Sequence, residues 1–262
     1  MIYSRRKAIK TLSLGSAGLA LPGLVSFNEP TITHILSLSF DDGFKKSFRR
    51  TAEIYEKHDF KACFNVLATG HLPSFEEPDE YMLKPLLGDF ELWNELKQRG
   101  HEVMPHGYKH ANLSKISFKK AQSLIQKCLE YFTDHLDGFE AKEAIFNFPF
   151  LASTPELETW LPTQVKAFRT YGPTINPFPK KGQARLTCGA AGPDNIDQQL
   201  QKQIEDFLAG DGGWFIFNTH GLEEEGWGPI SAQFLDNLLT NLKGIQSLAV
   251  LPVGEALKLA EV

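Results

Sequence analysis

Short apolar runs alternate along the chain with longer stretches in which apolar positions recur every three or four residues. The runs Ile32–Phe40, Lys61–Val66, Glu102–Met104, Ala144–Phe148, Ala167–Thr170, Ala184–Cys188, Gly213–Thr219 and Ser247–Val253 predict strands. The stretches Lys45–Lys57, Gly88–Arg99, Ser117–Leu136, Thr154–Trp160, Asn195–Leu208, Ile230–Leu242 and Gly254–Glu261 predict helices. Ser117 and Thr154 stand where N-caps belong, and Gly100 stands where a helix should stop. Strand and helix in alternation mark an α/β chain built on a parallel sheet, not a sandwich or a bundle. Two loops carry several prolines, His71–Pro85 and Tyr171–Gly182, and both are candidate substrate loops.

Length and composition narrow the picture. With 262 residues, 42% hydrophobic and 23% charged, the chain suits one large closed domain. Its first segment differs, because Ser4-Arg5-Arg6-Lys7-Ala8-Ile9-Lys10 precedes a weakly apolar run to Phe27 with no acidic residue before Glu29. In form this is a twin-arginine export signal over residues 1–27, ahead of a single domain over 28–262. The expectation is export to the periplasm or cell envelope, with membrane contact only if the segment is retained. Losing residues 1–27 removes four basic and no acidic residues, which moves the formal charge from −5 to −9. So acidic a domain excludes nucleic acid as a partner. Cys63, Cys128 and Cys188 lack any C-x-x-C spacing and read as buried small hydrophobes.

The chemistry concentrates in four places, each directly after a predicted strand: Ser39-Phe40-Asp41-Asp42-Gly43, His106-Gly107-Tyr108-Lys109-His110, Asn147-Phe148-Pro149-Phe150 and Phe217-Asn218-Thr219-His220-Gly221. In a parallel β/α barrel the C-terminal strand ends form one face, and that face carries the active site. Two adjacent carboxylates repel one another unless a cation is present or one is protonated. His106 and His110 meet on one side if their segment turns helically. An Asp/His/His set leaves coordination positions open for water and substrate, as a catalytic site requires. Such ligands suit zinc first, with cobalt, nickel and manganese also compatible. The remaining histidines, His34, His58, His71, His101 and His135, are given no role, and His101 is expected to face the strand end or solvent.

These motifs resemble those of the NodB-like polysaccharide deacetylases, carbohydrate esterase family 4. The resemblance implies a distorted (β/α) barrel and a metal-dependent hydrolase that removes acetyl from an N-acetylated, or secondarily an O-acetylated, carbohydrate, with metal-bound water as nucleophile. It assigns Asp41 as general base, Asp42, His106 and His110 as metal ligands, and His220 as the acid that protonates the leaving amine. The Phe150 N–H becomes the oxyanion donor, and Trp227 is a plausible sugar platform. The chain departs from the family in two motifs. Where the family has an arginine that pairs with the base, this chain has Asn147, and Arg169 is the candidate replacement. The family's Asp-x-x-Asp-Trp has no counterpart, and Glu223-Glu224-Glu225 reads as a solvated charge run. Rival readings are an amide hydrolase of the same fold acting on a small non-sugar substrate and a carbohydrate-binding relative that has lost catalysis.

Overall fold

A computed structural model describes residues 31–261. The expected export segment lies outside the described residues. Nine strands are present there: β1 (His34–Phe40), β2 (Cys63–Val66), β3 (Glu102–Pro105), β4 (Ile145–Asn147), β5 (Ala167–Tyr171), β6 (Ile175–Asn176), β7 (Arg185–Ala190), β8 (Gly213–Thr219) and β9 (Leu248–Val250). The helices are α1 (Lys45–Lys57), α2 (Phe90–Gln98), α3 (Phe118–His135), α4 (Pro155–Trp160), α5 (Asp197–Leu208), α6 (Ala232–Leu242) and α7 (Val253–Lys258). α1 and β8 match their expected bounds, and the other predicted elements appear with ends shifted by a few residues. Thr154 caps α4 through Leu157 N–H, Ser117 stands at the N-cap of α3 without a side-chain bond, and Gly100 follows α2 at φ +89°. Among the described residues no helix is long and apolar enough to cross a membrane.

The strands run in the order β3-β2-β1-β8-β7-β5-β4, parallel throughout. β1 is the axis of the sheet. One of its edges pairs with β8 over its full length, while the other is shared, with β9 beside His34–Leu36 and β2 beside Ser39 and Phe40. β8 is shared in the same way, between β7 and the short antiparallel β6. The two ends of the sheet, β3 and β4, come together without a ladder. Side chains bridge that seam: Ile145 N–H meets Met104 Sδ at 3.4 Å and Asn147 Nδ2 meets Pro105 O at 3.4 Å. The result is a nearly closed, distorted (β/α) barrel.

Successive strand residues point to opposite faces, and here the alternation has a clear purpose. In β1 Leu36, Leu38 and Phe40 pack outward into the large core under the helices, while Ile35 points into the smaller core enclosed by the strands. That inner core also holds Cys63, Ile145, Ala167, Leu186, Trp214 and Ile216. All three cysteines are buried and free, as expected. Toward the C-terminal ends the inward positions turn polar: Ser37 accepts from Trp214 Nε1, and above it lie Ser39, Asn65, Asn147, Arg169 and Asn218, all buried.

At the opposite end, one corner of the barrel carries an unusual carboxyl. Glu102 accepts from Gly254 N–H at 2.7 Å and from the Cys63 thiol at 3.1 Å. Burial pushes its pKa up from 4.5 to about 7 against those two bonds. The folded value lies above the ordinary one, so the protonated carboxyl stabilises the fold below pH 4.5, and that support is lost as pH rises through about 7. Glu102→Gln, which keeps an acceptor for Gly254, should therefore match the parent at pH 5 and exceed it at pH 8.5 by on the order of 1 to 3 kcal/mol. Urea denaturation at both pH values checks this, and equal stability at pH 8.5 would contradict it.

Candidate active site

Asp41 and Asp42 sit just past the end of β1, where the chain turns before α1. The carboxylates are not the first turn of that helix, whose N-cap is Phe44. The twist that separates them begins at Asp42 itself, at φ +77°, and continues through Gly43 at φ +97°. A non-glycine residue in the left-handed region carries strain, which is common where a side chain must be aimed. A Cβ on Gly43 would also lie 3.0 Å from the Trp93 ring.

The segment from His106 to His110 is not helical, contrary to expectation. Gly107 at φ +99° bends it into an irregular loop, and the two imidazoles nevertheless come together, with ring centroids 5.4 Å apart. Ligand atoms of Asp42, His106 and His110 all lie within 4.8 Å of one another. Asp42 Oδ1 stands 3.3 Å from His106 Nε2 and 3.4 Å from His110 Nε2 and is buried without a hydrogen-bond partner. His106 Nδ1 faces the carbonyl of Asn147 at 3.1 Å, which leaves Nε2 with its lone pair. Burial pushes the His110 pKa down to about 4, against the opposing pull of Asp42, so this imidazole is neutral at physiological pH. Burial raises the Asp42 carboxyl, but His110 and His106 outweigh it and hold it well below its usual range. A carboxylate oxygen facing the Nε2 atoms of two imidazoles is the donor set of a divalent cation.

Asp41 is almost fully buried and held from three strands. Arg169 donates from NH2 to Oδ2 and from NH1 to Ser39 Oγ, Asn218 Nδ2 donates to Oδ2 at 3.2 Å, and Asn65 Nδ2 donates to Oδ1 at 2.8 Å. Burial raises the Asp41 carboxyl, yet the Arg169 guanidinium, with His106 and His220, brings it below the usual carboxylate range. Arg169 is thus the cation paired with Asp41. Asn147 and Arg169 are register partners, side by side on β4 and β5. Asn65, Asn218 and Ser39 had no assigned role in the sequence. Their signal was the inward position at each strand's C-terminal end turning from apolar to polar.

His220 follows β8 and meets Trp227 edge-on, with centroids 5.8 Å apart. Its Nδ1 is buried with no hydrogen-bond partner, in keeping with the absent fourth motif. Phe150 and Leu151 are both left-handed, at φ +58° and +52°, and the half-exposed Phe150 ring lies 4.3 Å from that of His110. One cavity of about 420 Å³ gathers Asp41, Asp42, His106, His110 and His220, and is walled by Phe150, Trp227 and Tyr81. Asp79 and Tyr81 come from the loop His71–Pro85, which therefore reaches the site. Tyr171–Gly182 does not: it contains β6 and borders a separate surface cavity with Thr187 and Arg185. Two further expectations hold only in part. His101 meets a strand end, accepting from Ala62 N–H just ahead of β2, but it is buried and faces Glu56 instead of solvent, and Glu223 and Glu224 are exposed whereas Glu225 is tied to Ser47.

The polysaccharide deacetylase family model matches residues 28–161, just over half of the chain. The chain belongs to the polysaccharide deacetylase family. It is accordingly a hydrolase of amide or ester bonds. Solved structures of the family share its fold. The Xyl-CE4 domain of a multidomain xylanase from the hindgut metagenome of Trinervitermes trinervoides has 14% identity and a TM-score of 0.58, covering 87% of this chain and 92% of that one. A family 4 acetyl xylan esterase from Clostridium thermocellum, in complex with a cobalt ion, has 18% identity and a TM-score of 0.58 over 87% and 92%. The peptidoglycan deacetylase PdaC from Bacillus subtilis has 15% identity and a TM-score of 0.54 over the same shares. A comparison with curated proteins finds no match.

Removing Arg169 would leave the Asp41 carboxylate buried without its countercharge. Arg169→Met should therefore destabilise the fold by on the order of 3 to 5 kcal/mol at neutral pH. Chemical denaturation measures this, and an unchanged midpoint would mean that the guanidinium does not carry the pair.

Proposed function

We propose that the protein is a metal-dependent hydrolase that removes acetyl from an N-acetylated carbohydrate, with O-acetyl groups as the secondary substrate. The observation that carries this reading is the single cavity in which Asp42, His106 and His110 bring their ligand atoms together while Asp41 and His220 line the same space. A divalent ion held by those three residues, zinc being the first choice, would polarise the acyl oxygen and acidify a coordinated water.

The remaining steps belong to the chain's own groups. Asp41 is kept ionised by Arg169 and so is ready to accept the proton that the attacking water gives up. His220, with one ring nitrogen enclosed and unpartnered, is the proposed donor of a proton to the leaving amine. The Phe150 N–H is the proposed donor to the developing oxyanion. Tyr81, Phe150 and Trp227 offer apolar faces on which a sugar ring can lie.

The cavity of about 420 Å³ is also of a size to take a small N-acyl amide in place of a polymer, which is the second reading. Acetate release by the zinc-loaded protein from chitin oligomers, peptidoglycan, acetylxylan and small N-acetyl amides separates the two. Release from a glycan supports the first, release from small amides alone supports the second, and glycan binding without release would leave an inactive relative. The basic segment Ser4–Lys10 and the apolar run behind it support export to the periplasm or cell envelope.

Elemental analysis should find one divalent ion per chain in the parent and none in the His106→Ala/His110→Ala variant; stoichiometric metal in that variant would sink the ligand assignment. Asp41→Asn should keep the ion and lose about 10²-fold or more in kcat. Near-full turnover with metal bound would remove Asp41 as the base.

A further inference from the structure

The two oxygens of Asp41 are held unequally. Oδ2 takes bonds from Arg169 and Asn218, whereas Oδ1 takes one, from Asn65 Nδ2 at 2.8 Å. Any turn of the carboxylate about its bond to Cβ moves both oxygens together, so the bond from Asn65, the one on Oδ1, acts with those on Oδ2 to hold the plane.

The direction of the Asn65 contact is forced by chemistry. An ionised carboxylate only accepts, so Asn65 must turn its NH₂ toward Asp41 and its own oxygen the other way. That oxygen meets Asn147 Nδ2 at 2.8 Å. The same NH₂ lies 3.0 Å from Ile145 O and 3.4 Å from Pro105 O, and three acceptors around one atom admit only a donor there. Neither amide can flip without setting oxygen against oxygen, and both residues are buried away from water that could replace these bonds. The backbone of Asn147 also holds the other half of the site, since its carbonyl accepts a hydrogen bond from His106 Nδ1.

We propose that Asn65 is a positioning residue for the hydrolytic reaction, locked in one orientation by Asn147 so that the Asp41 carboxylate presents a single fixed edge to the cavity. The role rests on Asp41 being the base; the orientation of Asp41 does not. A reacting oxygen displaced by about 1 Å loses on the order of a hundredfold in rate, which is the scale that this lock protects.

Asn65→Leu deletes both halves of the amide while keeping the number and branching of its heavy atoms, and Asn65→Asp keeps the shape while turning an acceptor toward Asp41. Crystal structures of the zinc-loaded parent and variants should show the Asp41 carboxylate rotated in both variants, with Asp42, His106 and His110 superposed on the parent. Zinc per chain by elemental analysis should be unchanged. For acetate release from penta-N-acetylchitopentaose, kcat should fall about ten- to a hundredfold, with KM within about twofold, the scale of a hydrogen bond to a charged group. Asn147→Leu, which leaves Asn65 present but unlocked, should give an intermediate fall. An unrotated Asp41 in the variant that crystallises, or a kcat within about twofold of the parent, overturns the proposal. If the parent releases no acetate from this probe, the deacetylase reading fails for it, and the orientation of Asp41 alone decides whether Asn65 is the lock.

Discussion

A charged pair buried between the strands, beneath the active-site cavity, sets the terms for everything around it. Arg169 and Asp41 are both almost wholly buried, and either one alone would carry a heavy desolvation cost. Their attraction offsets that cost best where neighbouring groups also meet their donors and lone pairs, and the neutral polar ring formed by Ser39, Asn65 and Asn218 does so for all but Arg169 Nε, which is buried without a partner. The same arrangement explains why the cation is an arginine. The planar fork reaches Ser39 and Asp41 at once, whereas a lysine would place one point charge between them. Asn147, beside Arg169 on the neighbouring strand, must then stay neutral, because a second cation in the same layer would have no anion to meet.

The support is lopsided. The base side of the site is tied into four strands, while His220 on the opposite side has an enclosed ring nitrogen with no partner and leans on Trp227. The loop behind it is drawn in closely, for a Cβ on Gly226 would come within 2.7 Å of the His220 Cβ. Shape therefore holds this imidazole where, on the base side, hydrogen bonds hold a carboxylate.

Much of the fold was legible because long periodic segments such as α1 and nearly continuous apolar strands such as β8 carry strong local signals. The misses have local causes too. β6 is only two residues long and sits in a proline-bearing loop, too short for any periodicity to show. The histidine pair was expected on a helical turn because a spacing of four suggests one, but Gly107 in a left-handed conformation gives the same convergence from a loop. Within the site, the ionisable groups stood out because their types are rare and their spacing is distinctive. Asn65 and Asn218 did not, since an amide at a strand end is also ordinary turn chemistry. Read by alternate residues, however, Ile35-Ser37-Ser39-Asp41, Cys63-Asn65, Ile145-Asn147, Ala167-Arg169 and Ile216-Asn218 each run from apolar or small to polar on the inward face. That gradient is visible without coordinates once strand direction is assigned.

The seam between β3 and β4 has a thermodynamic consequence. No ladder closes it, and the contacts that do include the bond from His106 at the end of β3 to the Asn147 carbonyl at the end of β4. The imidazole that faces Asp42 is thus also a clasp on the barrel wall. Opening the wall there would pull His106 away from Asp42 and His110, so occupancy of that site and closure of the barrel are linked functions: a ligand that binds only the assembled triad raises the free energy of opening in proportion to the logarithm of its concentration.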